Sequence, residues 1–343
     1  MKYATTIAVD LAKSIFEIAV SDVPGHVLER HRLSRTRFHE FFAQHRPATV
    51  VFEACSSAHH WARSLDRLGH SVVLLPPHAV RPYIVRNKTD RTDAKGILEA
   101  FRNKAIQPVP IKSPDQHTLA ALHRFRSAYI GNRTARINTT RGILRELGCT
   151  IPLGANHVVP AIHELLSDNN DIPDALKPTL IDAANEITDL QDRARGIEGQ
   201  LNTIAKSSDI VKRLRTIPGV GPLTATALLA FVGDMQRFPT SRHFASYLGL
   251  TPRENSSGSR RRLGRISKRG DAYLRTLLVH GARSVLCHAH NAKELDRLRT
   301  WALRVEQLRG HNKATVALAN KLARIVWAVW KNDEPFTSAD AEH

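Results

Sequence analysis

Two short apolar runs near the start of the chain each end on a carboxylate: Ile7-Ala8-Val9 leads into Asp10, and Thr49-Val50-Val51-Phe52 leads into Glu53. Runs of this kind, with Ser71–Leu75 as a third, are the pattern of strands buried on both faces, and such strands need helices packed against them. Residues 3–10 and 14–21 are both β-rich and are separated only by Leu11-Ala12-Lys13, which predicts a hairpin. Helices are predicted over Ala58–Leu68 and Asp93–Asn103. Strands alternating with helices over residues 1–105 give an α/β domain, and Pro108, Pro110 and Pro114 punctuate its end.

Two further acids, Asp90 and Asp93, open the segment Thr89-Asp90-Arg91-Thr92-Asp93-Ala94-Lys95, which leads into the second of these helices. Their spacing of three turns both to one side of a helix. Together with Asp10 and Glu53 they form a candidate set of hard oxygen ligands. Magnesium takes only a few carboxylates and keeps coordination sites for water and phosphate. Two such ions stabilise both the attacking and the leaving oxygen of an in-line displacement at phosphorus. Any one of these acids alone also reads as a helix cap or a solvated side chain; the set carries the metal reading.

The charge balance names the substrate class. Fifty Lys and Arg against 32 Asp and Glu leave a formal net charge of +18 on 343 residues, which favours polyanions through counterion release. A membrane surface is the other polyanion, but no basic amphipathic anchor stands out. At 42% hydrophobic residues the chain has ample material for cores and is not disordered. Cys55, Cys149 and Cys287 form no CxxC pair, which argues against a disulfide framework or zinc site and suits a reducing cytosol. The histidines show no HExxH spacing, and none is assigned a role. The start MKYATTIAVD reads as a strand rather than a signal core. The apolar stretch Ala314–Trp330 is interrupted by Lys321 and Arg324 and reads as a core helix, not a membrane span.

Beyond the first domain the chain reads as helical. His117–Leu147 carries Arg124, Arg126, Arg133, Arg136, Arg141 and Arg145, either as a solvated basic face or as a helix that tracks phosphates. Residues 151–172 read as irregular. Leu176, Leu180, Ala183, Ile187, Leu190, Ala194, Ile197, Leu201 and Ile204 then repeat at alternating steps of four and three. That heptad predicts a helical hairpin or coiled coil forming an oligomer contact, with an intramolecular bundle as the alternative. The expected division is an α/β domain at 1–105, a basic-helix and coiled-coil region at 106–206, and a mainly helical C-terminal domain at 207–343.

Two motifs in the last domain bear on nucleic acid. Pro218-Gly219-Val220-Gly221 precedes the helix-prone run Leu223–Phe231 and resembles a helix–hairpin–helix turn, in which Gly219 and Gly221 would let backbone N–H groups approach a phosphate. A plain connecting turn is the alternative. Asn255-Ser256-Ser257-Gly258-Ser259 runs into Arg260, Arg261, Arg262, Arg265, Lys268 and Arg269. A serine there could attack a phosphodiester if a base or metal activates it, with arginine forks receiving the developing charge. From these residues alone, a phosphate-binding loop whose serine only hydrogen-bonds is the stronger reading.

Taken in order, the motifs resemble those of the DEDD insertion-sequence transposases, relatives of the Piv-type site-specific invertases and described as bridge-RNA-guided recombinases. The resemblance rests on Ala8-Val9-Asp10, Phe52-Glu53-Ala54 and Lys88-Thr89-Asp90-Arg91-Thr92-Asp93-Ala94 in the first half. In the second half it rests on Ile217-Pro218-Gly219-Val220-Gly221, Gly233-Asp234, Arg237-Phe238, Tyr247-Leu248-Gly249-Leu250-Thr251-Pro252, Ser257-Gly258, Ile266-Ser267-Lys268-Arg269-Gly270-Asp271 and Leu274-Arg275. It implies a RuvC-like domain of RNase H fold joined through a coiled coil to a C-terminal transposase domain. Asp10, Glu53, Asp90 and Asp93 would bind Mg2+. Ser257, directly before Gly258 as the family's serine is, would link covalently to cleaved DNA, with Ser256 the alternative. The active site would be shared between subunits of a dimer or tetramer. A guide (bridge) RNA would select donor and target DNA, and the protein would act in the prokaryotic cytoplasm at the nucleoid. The other functional readings are a RuvC-like junction nuclease using metal-activated water and a non-catalytic architectural binder.

Overall fold

The computed structural model describes residues 5–23, 26–84, 90–168, 172–258 and 260–337, the side chains of Asp90 and Arg91 excepted. The chain folds as two units, Met1–Ser113 and Pro114–His343.

The first unit is built on a mixed five-stranded sheet in the order β3-β2-β1-β4-β5. Strands β1 (Thr6–Leu11) and β2 (Ile15–Ser21) form the expected antiparallel hairpin, and β2 pairs antiparallel with β3 (Glu29–Ser34). Strands β4 (Thr49–Glu53) and β5 (Ser71–Leu75) run parallel to β1. Strand β3 and the helix after it, α1 (Arg35–Gln44), were not anticipated. The segment ERHRLS of β3 is too polar to announce itself, and as an edge strand it needs apolar contacts on only a few positions. Ser34 caps α1 by accepting from the Arg37 amide at 3.4 Å.

Alternation along the strands divides the sheet into two faces. Ile7, Val9, Phe16, Ile18, Val50 and Phe52 point to one side, where α1 and α2 (Ala58–Arg67) cover them. The contact centres on edge-to-face rings: Phe16, Phe38 and Trp61 lie 4.8–5.3 Å apart between centroids. Ala8, Ala19 and Val51 point to the other side, against Val80 of the short helix α3 (Pro77–Val80) and Ala94 and Ile97 of α4 (Asp90–Arg102).

Among its described residues the second unit is helical apart from one small hairpin. Helices α5 (Pro114–Glu146) and α7 (Lys177–Ser207) lie antiparallel, clasped by Arg126–Glu198 at 2.7 Å and Arg136–Glu186 at 2.6 Å. Most of the predicted heptad is the buried face of α7: Leu180, Ile187, Leu190, Ala194, Ile197 and Leu201 are buried, Ala184 and Ala205 take the places of Ala183 and Ile204, and Leu176 precedes the helix. Leu180, Ala184 and Ile187 pack on Ile137 and Leu144 of α5 and on Ile162 of α6 (Val158–Ser167), whereas Ile197 and Leu201 pack on Leu119 and Ala120. The face is therefore occupied within one chain. Residues 151–172, expected to be irregular, contain α6 (Val158–Ser167). Pro160 hid it, yet in a helix's first turn proline removes no needed N–H.

Helices α8 (Asp209–Leu214), α9 (Pro222–Val232), α10 (Ser241–Tyr247), α11 (Ala272–Ala289), α12 (Arg297–Arg309) and α13 (His311–Asn332) share one apolar core. Strands β6 (Pro252–Glu254) and β7 (Leu263–Ile266) form the hairpin between α10 and α11. No helix among the described residues is long and apolar enough to cross a membrane.

Candidate active site

Asp10 and Glu53 share one face of the sheet of the first unit. Asp10 lies two residues beyond Ala8, and Glu53 two beyond Val51, so strand alternation turns both toward the α4 side. Strands β1 and β4 are neighbours in parallel register, Val9 opposite Phe52, which sets Asp10 and Glu53 at adjacent strand ends. Both are half-buried. Asp93, one position before Ala94 on α4, is buried at 7% exposure. The side chain of Asp90 lies outside the described residues, although its backbone begins α4. Among the described residues no three His, Cys, Asp or Glu side chains stand close enough to hold a metal ion together. The donor set on this face is nonetheless all carboxylate oxygen, the chemistry a hard divalent cation takes.

One acid on this face went unnoticed in the sequence. Glu17 of β2 stands directly opposite Asp10 in antiparallel register and shares the face of Ala19. Arg32 of β3, opposite Glu17, reaches it with Nε at 3.3 Å. The alternation of polar Glu17 between apolar Phe16 and Ile18 was the available signal. Like charges directly opposite each other on a strand pair repel, and Arg32 offsets part of that repulsion.

In the second unit, the Ser257 motif is the tip of the β6–β7 hairpin. Asn255 N–H donates to the Arg262 carbonyl at 3.0 Å, and Ser257 and Arg260 exchange backbone hydrogen bonds at 3.4 and 3.2 Å. Gly258 follows Ser257 with φ +57°, the left-handed region that two-residue hairpin loops require at that place, and its Cβ position is open space. Ser259 lies outside the described residues. Arg260, Arg261, Arg262, Arg265, Lys268 and Arg269 are all exposed or nearly so at the surface of the hairpin, so the basic run is a surface and not a buried network.

The neighbouring glycine motifs hold this hairpin's base. A Cβ on Gly249 would fall 2.1 Å from the Arg269 carbonyl oxygen, and one on Gly270 would fall 1.9 Å from that of Tyr247. Both glycines have positive φ. Lys268 N–H donates to the Gly249 carbonyl at 3.0 Å, and Arg275 donates to the carbonyls of Leu248 and Arg269 at 3.1 and 3.2 Å. Tyr247-Leu248-Gly249 and Lys268-Arg269-Gly270 are thus one interlocked backbone joint.

The glycine turn before α9 divides its roles. Gly219, at φ +80°, packs against the backbone of Gly281 in α11. Gly221 is the N-cap of α9 with open space around its Cβ position. Close packing thus explains Gly219; Gly221 alone leaves a helix N-terminus approachable.

A buried polar bridge ties α5 to the rest of this unit and was not foreseen. His123 Nδ1 lies 3.0 Å from the Tyr273 hydroxyl and its Nε2 3.0 Å from the Thr226 hydroxyl. Burial, with a smaller contribution from nearby Arg126, lowers the imidazole pKa to about 4, so it is neutral at pH 7.

Comparison with known proteins accounts for both units. A family model described as a transposase, of the IS110 DEDD type, matches residues 7–148, and the model of the IS116/IS110/IS902 transposase family matches residues 211–297. A probable family 20 transposase of Pseudomonas aeruginosa is 40% identical over 94% of this chain and 96% of its own length. The transposase of insertion sequence element IS1111A from Coxiella burnetii is 36% identical over 98% of this chain and 92% of its own length. The pilin gene-inverting protein of Moraxella lacunata is 35% identical over 36% of this chain and 37% of its own. A DEDD-type domain implies an RNase H-like fold, which the sheet order and strand directions fit, and points to divalent-metal use. The chain belongs to the DEDD-type insertion-sequence transposases of the IS116/IS110/IS902 family, and is a DNA transposase.

Proposed function

We propose that this transposase cuts and exchanges DNA strands through a covalent serine–DNA intermediate, with Asp10, Glu53, Asp90 and Asp93 holding Mg2+ and Ser257 as the nucleophile. The observation that carries the reading is the pair of chemistries on separate units: an oxygen-only acid face, and a serine at the exposed tip of an arginine-rich hairpin. Ser257 Oγ attacks the scissile phosphorus and loses its proton to solvent. The bond to the leaving deoxyribose oxygen breaks, and that oxygen takes up a proton. The phosphoserine conserves the phosphodiester for attack by the exchanging strand. When bound, the magnesium would supply Lewis-acid stabilisation and activation of the hydroxyl. Arg260, Arg261, Arg262, Arg265, Lys268 and Arg269 bind the backbone phosphates and receive the charge that develops on the phosphoryl oxygens. Gly219 and Gly221 shape the turn through which the N-terminus of α9 meets a further phosphate.

Asp93 and Ser257 belong to different folded units, which suits a site assembled between subunits of a dimer or tetramer. With the heptad face occupied within the chain, assembly falls to other surfaces. The chain's sequence does not specify its targets, and a bridge RNA from the element's own flank would select donor and target DNA. The work would take place at the nucleoid in the cytoplasm.

The test incubates the protein with that RNA, Mg2+ and DNA carrying the element's ends, then denatures it and looks for a protein–DNA adduct. An adduct in the intact protein that is lost in Ser257→Ala and in Asp10→Asn supports the reading. Cutting that persists in Ser257→Ala without an adduct makes the protein a junction nuclease using metal-activated water. Activity indifferent to Asp90→Asn and Asp93→Asn would leave only an architectural binder.

A further inference from the structure

Glu254 is the only Asp or Glu between Asp234 and Asp271, a stretch that otherwise carries only basic charge. It does not simply face solvent. The Ser256 hydroxyl donates to Glu254 Oε1 at 2.7 Å and accepts from the Arg262 backbone N–H at 3.1 Å. Arg261 Nε stands 3.4 Å from the same carboxylate oxygen. Ser256 therefore spends its proton and a lone pair on tying the outgoing strand of the hairpin to the returning one, next to the Asn255–Arg262 backbone bond.

The adjacent serine is different. Ser257 is bridged to Arg260 through its backbone, and its hydroxyl makes no hydrogen bond to any described residue. Its neighbour Gly258 has nothing within 4 Å of its Cβ position among the described residues, its chain neighbours aside. A hydroxyl already committed on both sides must break those bonds to attack; one without a bond to the described residues beside it need not.

We propose that Glu254 and Ser256 are positioning residues, which lock the hairpin through the Glu254–Ser256–Arg262 tie so that the Ser257 hydroxyl is presented free at its tip. The proposal rests on Ser257 being the nucleophile. It assigns the two serines distinct tasks, and it gives the lone acid of the basic stretch a reason to be there. Exposed ion pairs contribute little to stability, so the effect falls on geometry: misplacement of a reacting group by about 1 Å costs roughly 100-fold in rate.

Two measurements on the full-length protein test it. The first needs no DNA: amide hydrogen exchange over residues 254–263 in Ser256→Ala and Glu254→Gln. Exchange should quicken about tenfold as the tie is lost, with the rest of the protein unchanged. Unchanged exchange overturns the tie whatever the chemistry of the serine. The second is the rate of adduct formation at saturating element-end DNA, with guide RNA and Mg2+. Ser256→Ala and Glu254→Gln should slow it roughly 10- to 100-fold while the half-saturating DNA concentration stays within about twofold, and Ser256→Thr should restore most of the rate. Peptide mapping should find the phosphate on Ser257 throughout. Faster exchange with a wild-type adduct rate, or phosphate on Ser256, overturns the positioning role. No adduct from the intact protein defeats the nucleophile reading, and the positioning role with it.

Discussion

Gly219 and Gly281 pack backbone to backbone: a Cβ on Gly281 would fall 2.1 Å from the Gly219 carbonyl oxygen. This contact brings the turn before α9 onto the middle of α11. Within a helix, alanine is ordinarily favoured over glycine by about 1 kcal/mol. Here the carbonyl cannot retreat without moving the turn, so Gly281→Ala is expected to destabilise by roughly 1–3 kcal/mol. A lowered urea midpoint with an unchanged slope would verify it; a raised midpoint would show that the turn yields freely.

Acid should weaken the protein through His123. Its folded pKa is about 4 against an ordinary 6.5, so the unfolded chain takes up the proton first as pH falls. The stability contributed by the neutral imidazole is whole above pH 6.5 and declines as pH drops toward 4, by at most about 3 kcal/mol. In His123→Gln that part of the decline should vanish, which urea titrations at the two ends of this window would reveal by comparison with the wild type.

Magnesium should raise the melting temperature of the protein and fail to do so in Asp10→Asn or Glu53→Gln. Binding to the folded state alone stabilises by about 2.7 kcal/mol at a hundred times Kd. An equal magnesium shift in wild type and variants would remove these acids from the metal site.

Replacing Arg260, Arg261 and Arg262 together by alanine should weaken DNA binding and flatten its salt dependence. Every phosphate that the variant leaves unneutralised lowers the slope of log affinity against log salt by about 0.9 on duplex DNA. The three side chains are exposed, so melting should be nearly unaffected. A slope identical to wild type would place the DNA elsewhere.

Much of this fold was legible in the sequence. The apolar runs of β1, β4 and β5 and the heptad of α7 announced themselves, because burial on both faces or along a seam leaves a periodic apolar trace. Charged β3 left none, since an edge strand is satisfied by hydrogen bonds to its neighbour more than by burial. Asp10 and Glu53 stood out as run-ending acids; Glu17 was missed because only the strand register makes it Asp10's neighbour.

The sequence by itself determined the alternation of strand and helix, the basic surface and the identities of the candidate reactive groups, all of which follow from local periodicity and side-chain chemistry. Only the tertiary structure decided that Gly219 serves packing on Gly281, that Gly249 and Gly270 interlock two distant loops, and that α7's seam is filled by α5 and α6. Those outcomes depend on contacts between residues far apart in the chain, and close packing is a property of the partners together, which no single segment encodes.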